Sequence, residues 1–210
     1  ETGAVDTGIG IDVEGGTVHN SNGASSTFDR VHVLGQAVGT DYWATGIKLN
    51  GISQANFNSV DIQGDNNGGL SSSHSIDLDL EATNGPTNDS FITNIVNSNF
   101  FGGLYGIKYG SYVQGIAITN ANFTLNWNGI YAPASATGQS ELAITNSQFD
   151  DTGDNILFDT NASSPQVMLT NNLFFLVAGT DGLHAKGTIS YSTIIGSNCS
   201  TATGSLISAS

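Results

Sequence analysis

One repeated phrase constrains this chain more than any other feature of it. "ITNANFTLNWNGIYA", from Ile118 to Ala132, returns as "ITNSQFDDTGDNILF" from Ile144 to Phe158 and as "LTNNLFFLVAGTDGLHA" from Leu169 to Ala185. Self-similarity at a period of about 20 to 50 residues marks chains that stack one small unit, because a single unit cannot bury its own apolar face. The period therefore has to be read before any single residue is assigned a role.

Three columns of apolar residues follow when the copies are aligned. A first column carries the phrase G-I-x-apolar and runs through Ile11, Ile47, Ile76, Ile107, Ile130, Ile156 and Leu183. A second precedes a "TN" turn, at Phe28, Phe57, Ile95, Ile118, Ile144, Leu169 and Ile189. A third lies just beyond that turn, at Val33, Ile62, Phe100, Phe123, Phe149, Phe174 and Ile194. Apolar and polar residues alternate around each position, as in a strand with one buried face. Asn97, Asn120, Asn146 and Asn171 recur in the turn; Asn tolerates the left-handed backbone such turns need, and stacked copies would form a ladder. Three short strands per coil and about seven coils predict an all-β chain, a right-handed parallel β-helix, forming a single domain over residues 1–210.

Composition supports this and narrows the function. The chain has 27 Gly but only four Lys and Arg together, so good helix formers are scarce. A formal charge of -14 repels phosphate backbones and anionic lipid, which excludes nucleic acid and membrane surfaces as partners. The apolar runs are too short for a spanning helix. One cysteine, Cys199, leaves no internal disulfide. The absence of an initiator Met reads as a fragment of a longer chain.

On the G-I strands the residue after the inward Ile points outward, as does the one two further on. The first outward column then reads Asp12, Lys48, Asp77, Lys108, Tyr131, Leu157 and His184; the second reads Glu14, Asn50, Asp79, Gly110, Pro133, Asp159 and Lys186. Three of the four basic residues fall on this one sheet. Aromatic and imidazole side chains, Trp43, His74, Tyr105 and Trp127, stand where the chain enters these strands. Aromatic faces beside carboxylates and amides suit a sugar ring, which has an apolar C–H face and a hydroxyl edge. The long connections around "GQAVGTDYWAT", "GDNNGGLSSSH" and "LEATNGPTNDS" would wall this sheet.

These phrases resemble the pectin-lyase-like β-helix superfamily, and "FDRVHVLGQAVGTDYWATGIKLNGISQANFNSVDIQG", Phe28 to Gly64, is similar to the central domain of bacteriophage tailspikes. The resemblance implies an extracellular homotrimer on the virion tail whose partner is a bacterial surface polysaccharide. Glycoside hydrolysis would need two carboxyl groups of set separation. The candidates are Asp77 and Asp79, with Asp12 or Glu14 as alternative partner, and Trp43, Lys48, Lys108, Trp127, Tyr131 and His184 to orient the sugar. Family signatures are missing: Asp150 and Asp151 lack the later G-H-G and R-I-K of polygalacturonases, and the only arginine, Arg30, lies at a turn rather than where a lyase base would stand. A non-enzymatic adhesin and a secreted polysaccharide lyase stay open beside the hydrolase. No cofactor is expected; calcium is the one metal the abundant oxygen ligands would suit, although no calcium-loop motif occurs.

Overall fold

A computed structural model describes residues 8–15, 25–35, 42–65, 74–82, 90–159, 166–186, 190–199 and 204–209. Among these the regular structure is all strand, with no helix. The strands are dealt in rotation to three parallel sheets of eight, seven and seven strands, so that each strand pairs with the third before and the third after it. The architecture is a parallel β-solenoid. Sheet A holds the G-I strands, from Ile9–Glu14 and Thr45–Asn50 through Ile76–Glu81, Tyr105–Tyr109 and Asn128–Ala132 to Ile207–Ala209. Sheet B holds the strands before the turn, such as Val113–Thr119 and Glu141–Thr145, and sheet C the short strands after it, such as Asn122–Thr124 and Gln148–Asp150.

The inward residues stack on their own kind. Phe100, Phe123, Phe149 and Phe174 form one pile, with ring centroids 4.9, 4.5 and 5.0 Å apart, and Phe28 lies 4.7 Å from Phe57. Those separations match the strand spacing, so parallel pairing itself places the rings in offset contact. Ile47, Leu78, Ile107, Ile130, Ile156 and Leu183 close the core from sheet A, all fully buried.

The turn between sheets B and C behaves as its asparagines predict. Asn97, Asn120, Asn146 and Asn171 have φ of 52°, 54°, 51° and 55°, and in two earlier coils Arg30 and Ser59 take the same backbone. Their side chains bond along the stack: Asn171 Nδ2 donates to Asn146 Oδ1 at 2.7 Å, and Asn120 to Asn97 at 3.3 Å.

Two coils depart from the expected columns. In the third, Ile47 pairs with Leu78 and not with Ile76, so the whole strand is displaced by two residues. A period-2 pattern looks the same after a shift of two, so alternation alone cannot hold that register. In the seventh, Leu169 pairs with Ile194 and Phe174 with Cys199, so Ile194 belongs to the pre-turn column and Cys199 ends the Phe column; Ile189 lies outside the described residues. This slip equals the spacing between the two columns. Gly196, with φ of 63°, takes the turn position there, and no "TN" marks it.

Candidate functional site

The outward face of sheet A brings most of the predicted residues together. Lys48 faces Asp12 on one neighbouring strand and Asp79 on the other; Lys108 faces Asp79 and Tyr131; His184 faces Leu157 and Ser208. Alongside runs Glu14, Asn50 and Glu81. Acids and lysines alternate over the first four coils of the column, Asp12, Lys48, Asp79 and Lys108, so each of these meets an opposite charge rather than a like one.

Two ionic clusters result. Lys48 Nζ lies 2.7 Å from Glu14 Oε1 and 4.0 Å from Asp12, while Asn50 Nδ2 donates to Glu14 Oε2 at 2.7 Å. The hydrogen bond from Lys48 holds the Glu14 carboxyl below its ordinary range. This cluster is largely exposed and contributes little to stability. The second is better shielded. Lys108 Nζ sits 3.3 Å from Asp79 and pairs with Glu81 as well. Asp79 is only 6% exposed, and burial pushes its carboxyl up to about 6 against the opposing pull of Lys108.

An aromatic pair adjoins this cluster. The rings of Tyr105 and Tyr131 stack with centroids 4.1 Å apart and 18° between planes. The Tyr131 hydroxyl donates to Asp159 Oδ2 at 3.0 Å, and Lys186 Nζ lies 3.4 Å from Asp159 Oδ1. Burial raises both phenols above their ordinary range, so they act as hydrogen-bonding groups and not as bases. Beside the tyrosines a cleft opens between Glu81, Lys108, Tyr112, Pro133 and Ser135. Gly110 keeps its floor low: a side chain there would start 2.5 Å from the Leu80 carbonyl oxygen and 2.7 Å from Glu81 Cγ.

Asp77 is a correction. It does not face outward but occupies the corner where sheet C enters sheet A, fully buried. Its partners in register at this corner are glycines, Gly46 and Gly106, whose added side chains would point into the core at Ile62 and Phe123. Alternation fails here because the chain is still turning the corner; it holds from Leu78 onward. Glu81, not Asp77, is therefore the carboxylate that accompanies Asp79 on the surface. The alternation of Leu78, Leu80 and Ala82 carried that signal, since three buried positions fit the displaced register.

Both tryptophans are half-buried. Trp43 packs against the core, while Tyr42 next to it lies 6.3 Å from the exposed His74 ring. Trp127 is half-buried, its ring lying over Gly153. Arg30 sits at the turn between sheets B and C, 2.9 Å from Asp29 and largely exposed. Most of the three long connections, residues 36–41, 66–73 and 83–89, lies outside the described residues.

At the far end of sheet A, His184 Nδ1 lies 2.8 Å from Asp154 Oδ2, and with Asp181 these residues hold their polar atoms within 4.8 Å of one another. Each carboxylate is already engaged. Asp154 accepts the Asp181 amide at 2.8 Å, and Asp181 accepts the Ser205 amide at 2.9 Å and the Ser208 hydroxyl.

Comparison of the chain with protein families, curated proteins and solved structures finds no match in any of the three.

Proposed function

We propose that sheet A binds a bacterial surface polysaccharide, in the manner of the tailspike domains that the chain resembles. The observation that carries this reading is the half-exposed Tyr105 and Tyr131 pair, set between two ion-paired clusters and beside a cleft floored by Gly110. Sugars present apolar C–H faces and hydroxyl edges, which aromatic rings and charged hydrogen-bonding groups meet together. A polymer suits a solenoid because similar groups recur from coil to coil along one face. Tailspike-like placement would make the protein an extracellular homotrimer on a virion tail. An outward strip on sheet B, Ala117, Ala143 and the exposed Met168 with Ile92 nearby, offers an apolar surface for a neighbouring subunit.

Binding without cleavage is the first reading because Lys108 ties up both Asp79 and Glu81 in ion pairs. Hydrolysis is the second, favoured by two carboxylates of unequal exposure two residues apart on one strand, Glu81 lining the cleft and Asp79 buried beside it. Both carboxylates touch the same Lys108 Nζ, which sets their oxygens at the short separation of a retaining pair rather than the wider one of an inverting pair.

Incubation with capsular polysaccharide and lipopolysaccharide, read by affinity electrophoresis and by polymer size, tests both. Tyr131→Ala is expected to weaken binding roughly 2- to 10-fold, the range for one aromatic contact. Met168→Ala is expected to leave it unchanged. Equal binding by both variants would remove sheet A as the site. Shortened polymer that has no unsaturated ends and disappears with Glu81→Gln would establish hydrolysis; intact polymer that stays bound would leave an adhesin.

A further inference from the structure

The corner between sheets C and A encloses polar side chains that the surface site does not use. Asp65, Ser75, Asp77, Asn126, Asp151 and Asn155 are all buried there. Asn126 shows how such a group is satisfied. Its Nδ2 donates to the Phe100 carbonyl at 3.2 Å and to Asp151 Oδ1 at 3.0 Å, and its Oδ1 accepts the Gly103 amide at 2.9 Å. Asp77 has nothing comparable. Neither of its carboxylate oxygens accepts a well-formed hydrogen bond, although both are out of contact with solvent. Burial holds its carboxyl well above the ordinary range, the nearby Phe101 amide gives only partial relief, and Asp151 and Asp65 add like charge. A buried polar group without a partner is costly, and one that persists calls for a ligand or a proton.

Oxygen atoms converge on this carboxylate. A side chain on Gly103 would begin 2.9 Å from Asp77 Oδ1, 3.0 Å from the Ser75 carbonyl oxygen and 3.2 Å from that of Tyr105. A side chain on Gly64 would meet Ser75 Oγ and, at 2.8 Å, Asp77 Oδ1. Two glycines thus let the main chain pass close to Asp77 Oδ1, with the Ser75 hydroxyl, which accepts the Asp65 amide at 2.7 Å, on the Gly64 side and the Ser75 and Tyr105 carbonyls on the Gly103 side. Asp65, 1% exposed, adds a second negative charge nearby, with Oδ2 accepting the His74 amide at 2.9 Å.

We propose that this corner binds a calcium ion, with Asp77 as its anionic ligand and Ser75 and the Tyr105 carbonyl completing an oxygen cage beside Asp65. Donors that are all oxygen select a hard cation over zinc or copper. Irregular geometry and main-chain carbonyls suit calcium better than magnesium, which demands a near-ideal octahedron and keeps its waters. Bound there, the ion would join the strands Ile76–Glu81 and Tyr105–Tyr109 at the point where both enter sheet A.

Thermal unfolding at neutral pH and physiological salt, in chelator and in rising calcium, tests this. A ligand held only by the folded state raises the midpoint steadily with the logarithm of its concentration. That increase is expected for the wild type, to a smaller degree with magnesium, and is expected to be lost in Asp77→Asn while Asp12→Asn retains it. Equilibrium dialysis of the wild type should find one tightly held calcium per chain, which keeps the test open if Asp77→Asn does not fold. No midpoint shift, a shift that survives in Asp77→Asn, or no bound calcium would each overturn the proposal. An Asp77→Asn variant more stable than a calcium-insensitive wild type would show that the carboxyl carries a proton instead.

Discussion

Asp151 is the residue whose chemistry is most sharply set by its position. It is 1% exposed, one of its oxygens has no partner, and burial pushes its carboxyl up to about 8, the Asn126 hydrogen bonds notwithstanding. The folded value lies above the ordinary 3.8, so the folded chain holds this proton more tightly than the unfolded one. Its contribution to stability is therefore complete below about pH 4 and is lost as pH rises toward about 8. In chelator, wild type should lose up to roughly 1.4 kcal/mol per pH unit relative to Asp151→Asn across that window. Urea denaturation at several pH values checks this; parallel curves for the two proteins would contradict it. Residues of this kind are poorly legible in a sequence. Asp150 and Asp151 read only as an acidic pair without its family signature, and Asp77 as a surface acid, because alternation says nothing about a corner. The turn asparagines are legible, since the left-handed backbone they occupy restricts residue choice directly.

At the scale of the strand, the Phe pile of sheet C carries most of what the period encodes. Phe149 lies between Phe123 and Phe174 and is fully buried. Phe149→Ala should cost about 3 to 5 kcal/mol, a cavity the two rigid neighbouring coils cannot close. Denaturant midpoints would measure it, and a loss below about 1 kcal/mol would mean that the stack is not the structural core. The pile is readable letter by letter from Phe100 to Phe174. The strand at Ile76 and the coil at Ile194 are not: a shift of two leaves the alternation of the first unchanged, and neither a turn asparagine nor a Phe marks the second. The two-residue displacement at Ile76 hides Glu81 from the site and puts Asp77 in its place.

For the whole molecule, parallel coiling turns one-dimensional sequence into a lengthwise surface. The chain carries a formal charge of -14, yet three of its four basic residues, Lys48, Lys108 and Lys186, lie on the outward face of sheet A. That concentration is legible in the amino-acid order alone, since it follows from the period and the strand alternation. Folding adds the stacked tyrosine pair and the cleft over Gly110, removes Asp77 from that surface and packs Trp43 partly against the core. Hydrogen–deuterium exchange with and without a bacterial surface polysaccharide tests the central claim most directly. Slower exchange confined to the strands Ile76–Glu81, Tyr105–Tyr109 and Asn128–Ala132, with Glu141–Thr145 of sheet B unchanged, is the predicted result. Slower exchange on sheet B alone, or no change with any such polysaccharide, would contradict it.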